Sequence, residues 1–89
     1  MIIYNIEFKT GAIDDVKYFK RLGDKSVNRK IKALMEELAE HPEIGTGKPE
    51  QLKGDLSGCW SRRINREHRL IYTIEEDTVC ILSLRGHYN

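Results

Sequence analysis

The sequence from Cys59 to Leu84, CWSRRINREHRLIYTIEEDTVCILSL, carries the clearest pattern of secondary structure in the chain. It contains three short runs rich in branched and aromatic residues, which predict strands at Cys59–Ile64, Arg69–Ile74 and Thr78–Leu84. The turns between these runs, REH and EED, are each three residues long. Because such short turns join antiparallel neighbours, the second half of the chain is predicted to form an antiparallel sheet.

Two amphipathic helices are predicted before this sheet. The first follows a short strand at Ile2–Phe8, takes Thr10 as its cap and ends at Gly23. The second begins after Asp24 and ends at His41, which precedes a proline. Its apolar residues recur at helical spacing, at Val27, Ile31, Leu34, Met35 and Leu38. The expected fold class is α+β, with two N-terminal helices packed on a twisted, mainly antiparallel β-sheet.

Length and composition exclude several classes of protein. The chain has 89 residues, of which 39% are hydrophobic, enough for a single domain over residues 1–89 with one core. No apolar run approaches the roughly 20 residues of a membrane span, and MIIYNIEFK at the start is no signal peptide, so a cytoplasmic location is expected. Fifteen basic and fourteen acidic residues give a net charge of +1, which argues against binding nucleic acid by bulk charge alone.

The two cysteines, Cys59 and Cys80, do not predict a metal site. They are far apart in the sequence, and the chain contains neither C-x-x-C nor H-x-x-x-H spacing. Both are expected to be reduced and half-buried. We expect neither a metal nor another cofactor.

Alternation along the strands predicts two different faces of the sheet. Three-residue turns would pair Asn65 with Arg69 and Ile74 with Thr78. The face against the helices would then carry Ile64, Leu70, Tyr72, Ile74, Cys80, Leu82 and Leu84. Trp60 would pack on that side, with Arg62 near the rim of the sheet. The opposite face would carry Arg63, Arg69, Ser83, Arg85 and His87.

Arginine and histidine on one exposed face favour phosphate chemistry. Arginine presents a charged planar fork to phosphate oxygens, and histidine exchanges a proton near neutral pH. RNA carries its own nucleophile, the 2′-hydroxyl, so cleavage needs a base, cations and an acid. The base would be Glu50 or Glu67, and the residues alone leave both open. His41 and His68 are expected to face solvent.

A resemblance to a known family narrows these alternatives. The segment at residues 45–72, GTGKPEQLKGDLSGCWSRRINREHRLIY, and the ending LRGHYN resemble the signature of the YoeB/Txe toxins, in the RelE superfamily of bacterial toxin–antitoxin systems. The resemblance implies the RelE/YoeB-like microbial RNase fold. It also implies a toxin that cuts messenger RNA in the ribosomal A site, without a metal, and leaves a 2′,3′-cyclic phosphate.

The same resemblance assigns roles to individual residues. Glu50 matches the general base, Arg69 matches the arginine that holds the scissile phosphate, and His87 matches the acid that protonates the 5′ leaving oxygen. Lys53 and Arg63 match basic residues that line the site, and Tyr88 matches the tyrosine beside the histidine.

The resemblance also implies partners. These are the ribosome with its messenger RNA, and a cognate antitoxin whose disordered C-terminal segment folds onto the toxin. A homodimer would also fit, with Ile71, Val79 and Ile81 on the catalytic side available for either contact. Operator DNA would be reached only through the antitoxin, and no membrane is involved. The alternatives are a gyrase-inhibiting toxin of the same fold and an inactive module that binds RNA or the antitoxin.

Overall fold

A computed structural model describes residues 3–86, and the structure confirms the expected α+β class. The predicted site residues His87 and Tyr88 lie outside the described range. The elements in chain order are β1 (Asn5–Phe8), α1 (Thr10–Leu22), α2 (Lys25–Glu40), β2 (Glu50–Gln51), a 3₁₀ turn (Gly54–Leu56), β3 (Trp60–Arg63), β4 (Arg69–Glu75) and β5 (Thr78–Gly86). The strand order in the sheet is β1-β5-β4-β3-β2. Only the pairing of β1 with β5 is parallel among these neighbours, so the sheet is mainly antiparallel as expected.

The ends of the helices follow the local sequence, with one exception. The backbone N–H of Val27 donates to Asp24 Oδ1 at 3.1 Å, which confirms the predicted cap of α2. Gly23 ends α1 in the left-handed conformation, with φ 67°. The prediction for Thr10 was wrong, because Thr10 is already helical and Lys9 occupies the cap position without a side-chain bond.

The core lies between the two helices and one face of the sheet. Ala12 and Phe19 of α1 are buried there, together with the predicted stripe of α2 at Val27, Ile31, Leu34 and Leu38. The sheet contributes Ile64, Leu70, Tyr72, Val79, Ile81 and Leu84. The other side of the sheet is called the open face below. Within residues 3–86 no helix is long and apolar enough to cross a bilayer.

The turn between β3 and β4 is longer than predicted, but the faces are unchanged. Arg63, not Asn65, pairs with Arg69. The Asn65 side chain shapes the turn, because its Oδ1 accepts the backbone N–H groups of Glu67 at 2.9 Å and His68 at 2.7 Å. A shift of two residues keeps every side chain on its predicted face.

The turn between β4 and β5 is one residue shorter than predicted. Glu75, not Ile74, pairs with Thr78, and Glu76 has φ 55°. This left-handed conformation is uncommon for a residue other than glycine, so a glutamate at this position does not predict it. A shift of one residue reverses the face of each side chain. The predicted faces were therefore wrong for three residues of β5, Val79, Cys80 and Ile81.

The consequence for the core is direct. Val79 and Ile81 are fully buried in it, so they do not belong to the catalytic side as predicted. Cys80 lies on the open face instead, where its Sγ donates to Glu75 Oε2 at 2.9 Å. The cysteine is buried rather than half-buried, while Cys59 is half-buried as expected, and both are free thiols.

A bulge in β5 restores the predicted alternation further along. Tyr72 pairs with Ile81 but Ile71 pairs with Ser83, so Leu82 is an extra residue in the ladder. Leu82 is half-buried at this irregularity. Beyond it, Ser83 shares the open face with Ile71, and Leu84 is buried in the core as predicted.

Candidate active site

Three of the predicted site residues lie on the open face of the sheet. Glu50 pairs with Ser61 between β2 and β3, and Arg63 pairs with Arg69 between β3 and β4. Residues paired across antiparallel strands share a face, and so do residues two positions apart in one strand. Glu50, Arg63 and Arg69 therefore project from the same face, as the alternation predicted for the two arginines.

The backbone spacing lets these side chains converge. Glu50 lies two strands from Arg69 and two residues further along the sheet, which places their Cα atoms about 12 Å apart. Side chains of this length would reach one phosphate group from both directions. Glu50 and Arg63 are exposed and Arg69 is half-buried. Lys53 is also exposed and directly precedes the 3₁₀ turn, three residues after Glu50.

The loop that delivers Glu50 is held by Arg62, which was predicted to lie at the rim and is instead fully buried. Its guanidinium donates to three backbone carbonyls of this loop. The oxygens are those of His41 at 2.5 Å, Ile44 at 2.7 Å and Thr46 at 3.3 Å. A planar group with five donors suits such a fork of acceptors.

Two further side chains complete the setting of Arg62. Its Nη1 lies 2.7 Å from Glu37 Oε1, and its Nε donates to the Tyr72 hydroxyl at 3.2 Å. The same hydroxyl donates to the Pro42 carbonyl at 2.7 Å. Glu37 also accepts the backbone N–H and the hydroxyl of Thr46, at 2.6 and 2.7 Å. The loop is thus fixed to α2, β3 and β4 before it enters β2.

These contacts set the pKa values of both partners of Arg62. Burial by itself raises the pKa of Glu37, but the hydrogen bonds from Thr46 and Arg62 outweigh it, so the pKa lies below its ordinary value. Burial raises the pKa of the Tyr72 phenol, and the hydrogen bond from Arg62 only partly opposes this effect. Glu37 is therefore ionised and Tyr72 neutral at physiological pH.

Two glycines allow the loop to pack this closely. A Cβ on Gly45 would overlap Glu37 Oε1, and a Cβ on Gly47 would lie 2.9 Å from the carbonyl oxygen of Arg63. Both have positive φ, at 128° and 80°. The Gly47 carbonyl accepts the Arg63 backbone N–H at 2.6 Å. Gly45 and Gly47 thus allow the loop to approach α2 and β3 closely.

The end of β5 is fixed by α1. Asp15 Oδ2 accepts the backbone N–H groups of Leu84 at 2.8 Å and Arg85 at 3.2 Å. The Arg85 guanidinium lies 3.6 Å from the centre of the Tyr18 ring. Arg85 was predicted on the open face, and this was wrong because the ladder is irregular near the end of β5. Gly86, the last described residue, pairs with Arg69.

The two remaining histidines differ in exposure. His41 is exposed as expected. His68 was expected to face solvent but is only 8% exposed, with its ring 5.0 Å from the Phe19 ring in an edge-on arrangement. Its Nε2 lies 3.1 Å from Glu67 Oε1. Glu67, the other candidate base, lies in the turn beside His68.

The open face is acidic at its opposite end. Glu7 of β1 pairs with Cys80 of β5, and the thiol lies 3.9 Å from Glu7 Oε2 as well as 2.9 Å from Glu75 Oε2. The hydrogen bond to Glu75, together with burial, raises the pKa of Cys80. The Glu7 carboxylate also pairs with Lys9 at 3.0 Å. Charge therefore changes sign across the sheet, and a phosphate group would favour the end with Arg63 and Arg69.

Comparison with known families gives a match over most of the chain. The model for the YoeB-like toxin of bacterial type II toxin-antitoxin systems matches residues 8–88. Toxin YoeB of Synechocystis sp. is 49% identical over 83 residues, which cover 93% of this chain and 95% of the relative. Toxin YoeB of Escherichia coli K12 is 45% identical over 75 residues, or 84% and 88% of the two chains.

Solved structures agree with the sequence comparison. The YoeB dimer from Staphylococcus aureus superposes with a TM-score of 0.85 at 43% identity, covering 96% of this chain and 98% of the other. YoeB in a heterotetrameric YoeB-YefM toxin-antitoxin complex from the same organism gives 0.83 at 43% identity over the same shares. YafQ from Escherichia coli is only 20% identical but has the same fold, with a TM-score of 0.78 over 94% and 93% of the chains.

Proposed function

This chain belongs to the family of YoeB-like toxins of bacterial type II toxin–antitoxin systems, and we propose that it is a ribosome-dependent endoribonuclease that cuts messenger RNA in the A site. The observation that carries the proposal is the shared open face of Glu50, Arg63 and Arg69. A carboxylate and two guanidinium groups there could act on one phosphodiester. Cleavage of messenger RNA in the cytoplasm would stop translation.

In the proposed reaction the 2′-oxygen attacks the adjacent phosphorus while the 5′-oxygen leaves. Glu50 takes the proton from the 2′-hydroxyl, and His87 gives a proton to the 5′-oxygen. Arg69 and Arg63 bind the phosphate oxygens and stabilise the additional charge of the transition state. The products are a 2′,3′-cyclic phosphate and a 5′-hydroxyl, and no metal takes part. Lys53 and Tyr88 would contact the RNA beside this centre.

The exposure of Glu50 gives a physical reason for dependence on the ribosome. A carboxylate in contact with water is a weak base, and covering it strengthens it as a base. The small open sheet has no lid in the described part of the chain that would cover Glu50. The messenger and the wall of the A site would supply that cover and hold the 2′-hydroxyl in line.

Partners follow from the family in the same way. The matching structures include a YoeB-YefM complex and a YoeB dimer. We propose that a cognate antitoxin likewise holds this toxin, its C-terminal segment folding over the basic end of the open face. Operator DNA would be bound by the antitoxin alone.

The test is cleavage of a messenger on translating bacterial ribosomes, mapped by primer extension. Wild-type protein should cut at A-site codons, and naked RNA should stay intact. Glu50→Gln and His87→Ala should each lower the rate by about 100-fold or more. Glu43→Gln, at an exposed glutamate earlier in the same loop, should cut like the wild type.

Folded, antitoxin-free protein that makes no cuts on ribosomes would overturn the proposal. It would direct attention to gyrase inhibition or to an inactive module that binds RNA or the antitoxin. Cuts that persist undiminished in Glu50→Gln would instead reject Glu50 as the base.

A further inference from the structure

The end of β5 contains a second bulge, beside the candidate active site. Ile71 and Arg69 of β4 are two positions apart in the chain. Their partners in β5, Ser83 and Gly86, are three positions apart, so β5 holds one residue more than β4 in this interval. Bulges redirect a strand and are frequent next to active sites. The bulge therefore sets how β5 arrives at Arg69.

A carboxylate of α1 holds this bulge. β1 ends at Phe8, which pairs with Ile81, so further along β5 no strand of the described chain lies on that edge. Asp15 Oδ2 takes this place and accepts the backbone N–H groups of Leu84 at 2.8 Å and Arg85 at 3.2 Å. Successive N–H groups of a regular strand point to opposite edges, so two that bond to one oxygen belong to the bulge. The carboxylate thus stabilises the irregular register itself.

One face of α1 follows β5 through the bulge. Gly11, Asp15 and Tyr18 recur at helical spacing and so lie on the same side of α1. A Cβ on Gly11 would lie 3.1 Å from the Leu82 carbonyl oxygen, which shows how closely the helix approaches the strand before the bulge. The Tyr18 ring lies 3.6 Å from the Arg85 guanidinium within the bulge. Asp15 lies between these two contacts along the helix.

The bulge brings the last described residue against Arg69. Leu84 is buried in the core, and regular alternation would turn Gly86 to the same side. Gly86 instead pairs with Arg69, and a Cβ on it would lie 2.6 Å from Ile71 Cγ1. The strand thus ends in close contact with the site. The expected acid His87 directly follows Gly86 in the sequence and lies outside the described residues.

We propose that Asp15 is a positioning residue for the general acid. By holding the bulge, its carboxylate fixes where the chain leaves β5 for His87, next to the phosphate bound by Arg69. Without it, the N–H groups of Leu84 and Arg85 lose their acceptor, and β5 can slip toward the regular register, which exchanges the faces of the sheet. The proposal rests on the proposed function for the reaction, whereas the bulge can be tested without RNA.

The first test follows the bulge in the antitoxin-free protein. Amide hydrogen exchange measured by NMR should show Leu84 and Arg85 protected in the wild type. Asp15→Ala should speed the exchange of these two amides by roughly 10–100-fold, because their bonds to a charged acceptor are lost. Asp14→Ala, at the exposed neighbour in α1, should leave the exchange unchanged. Equal protection in the wild type and Asp15→Ala would overturn the proposal.

The second test measures proton transfer to the leaving group. Single-turnover cleavage on ribosomes is compared for a normal messenger and for one with sulfur in place of the 5′-oxygen that leaves. A thiol has a pKa of about 8.5, so the sulfur leaves as a thiolate and needs no acid. Asp15→Ala should cut the normal messenger about 10–100-fold more slowly than the wild type, and the sulfur messenger at nearly the wild-type rate. His87→Ala gives the reference pattern for loss of the acid.

Further variants separate positioning from a general loss of structure. Asp15→Asn keeps an acceptor oxygen and should restore most of the rate on the normal messenger. Should Asp15→Ala not fold, Asp15→Glu keeps the charge but moves it by one methylene group, and should show the same selective loss on a smaller scale.

The outcomes distinguish this proposal from the proposed function. Equal slowing of both messengers, or cleavage of the normal messenger by Asp15→Ala at the wild-type rate, would overturn the role of Asp15 and leave the nuclease intact. A wild type that cuts neither messenger would reject the nuclease, and with it any role toward an acid, even with Asp15 shown at the bulge by hydrogen exchange.

Discussion

Arg62 and Glu37 lie 25 residues apart in the chain, yet their Nη1 and Oε1 atoms are 2.7 Å apart at the boundary between α2 and β3. The guanidinium is fully buried, while the carboxylate side chain is 27% exposed. Both side chains form hydrogen bonds with the loop that leads to Glu50. A buried arginine on the core side of the sheet thus supports a candidate base on the other side.

Replacing Arg62 should lower the free energy of unfolding more than replacing its neighbour Arg63. Arg62→Met removes the guanidinium that donates to three loop carbonyls and to Glu37, which keeps only its two bonds from Thr46, so the free energy of unfolding should fall by about 3–5 kcal/mol. Arg63→Met changes an exposed arginine and should stay within about 0.5 kcal/mol. Urea denaturation followed by circular dichroism measures both. Equal effects of the two substitutions would show that the guanidinium of Arg62 contributes little.

Should Arg62→Met not fold, Tyr72→Phe tests the same network with a smaller change. It removes the donor to the Pro42 carbonyl and the acceptor for Arg62 Nε, and keeps the ring. A loss of about 1–3 kcal/mol is expected, since a buried carbonyl loses its partner. No measurable loss would indicate that the hydroxyl is dispensable.

Glu37 should make stability depend on acid pH. Its pKa in the folded protein lies below the ordinary value of 4.5, so its stabilising effect is complete above that value and disappears as pH falls through the folded pKa. Glu37→Gln should therefore narrow the difference between urea midpoints measured at pH 7 and at acid pH. Glu36→Gln, at an exposed neighbour, serves as the control. An identical pH dependence in wild type and Glu37→Gln would contradict the role of Glu37.

How far the sequence predicts this site depends on which groups form it. Alternation within β3 placed Arg63 on the open face, because successive side chains of a strand point to opposite faces of the sheet whatever their partners. The same alternation placed Arg62 on the core side, but nothing in the sequence showed that loop carbonyls would surround it there. Backbone groups carry no residue identity, so a guanidinium that binds carbonyls has no partner that the sequence can show.

The errors in β5 have a related cause. Alternation gives faces only when the turn length is known, and Glu76 supports a shorter turn in a conformation that its residue type does not favour. Leu82 then adds a residue to the ladder without any glycine to mark the bulge. By contrast, Asp24 and Gly23 were identified correctly, since caps depend on local bonds.

Gly47→Ala should lower the rate of cleavage because it displaces the loop that leads to Glu50. An alanine there would adopt a strained φ and place its Cβ 2.9 Å from the Arg63 carbonyl, so the loop before Glu50 must move. Gly23→Ala has a similar φ of 67° with nothing within 4 Å, and so carries the strain without the contact. We expect both to lose about 1–2 kcal/mol of stability, and Gly47→Ala alone to lose ribosome-dependent cleavage by about 10-fold or more. Equal cleavage by the two variants would show that the loop tolerates the displacement.

The two cysteines should react with iodoacetamide at very different rates. The thiolate is the reactive form, and both the hydrogen bond to Glu75 and burial keep Cys80 protonated, whereas Cys59 is half-buried. Mass spectrometry at neutral pH should find Cys59 modified first, with Cys59→Ser and Cys80→Ser used to assign the sites. Glu75→Gln removes the carboxylate that raises the pKa of Cys80, so the pH profile of its alkylation should move to lower pH. In urea both cysteines should react alike, and preferential labelling of Cys80 in the folded protein would contradict its position between Glu75 and Glu7.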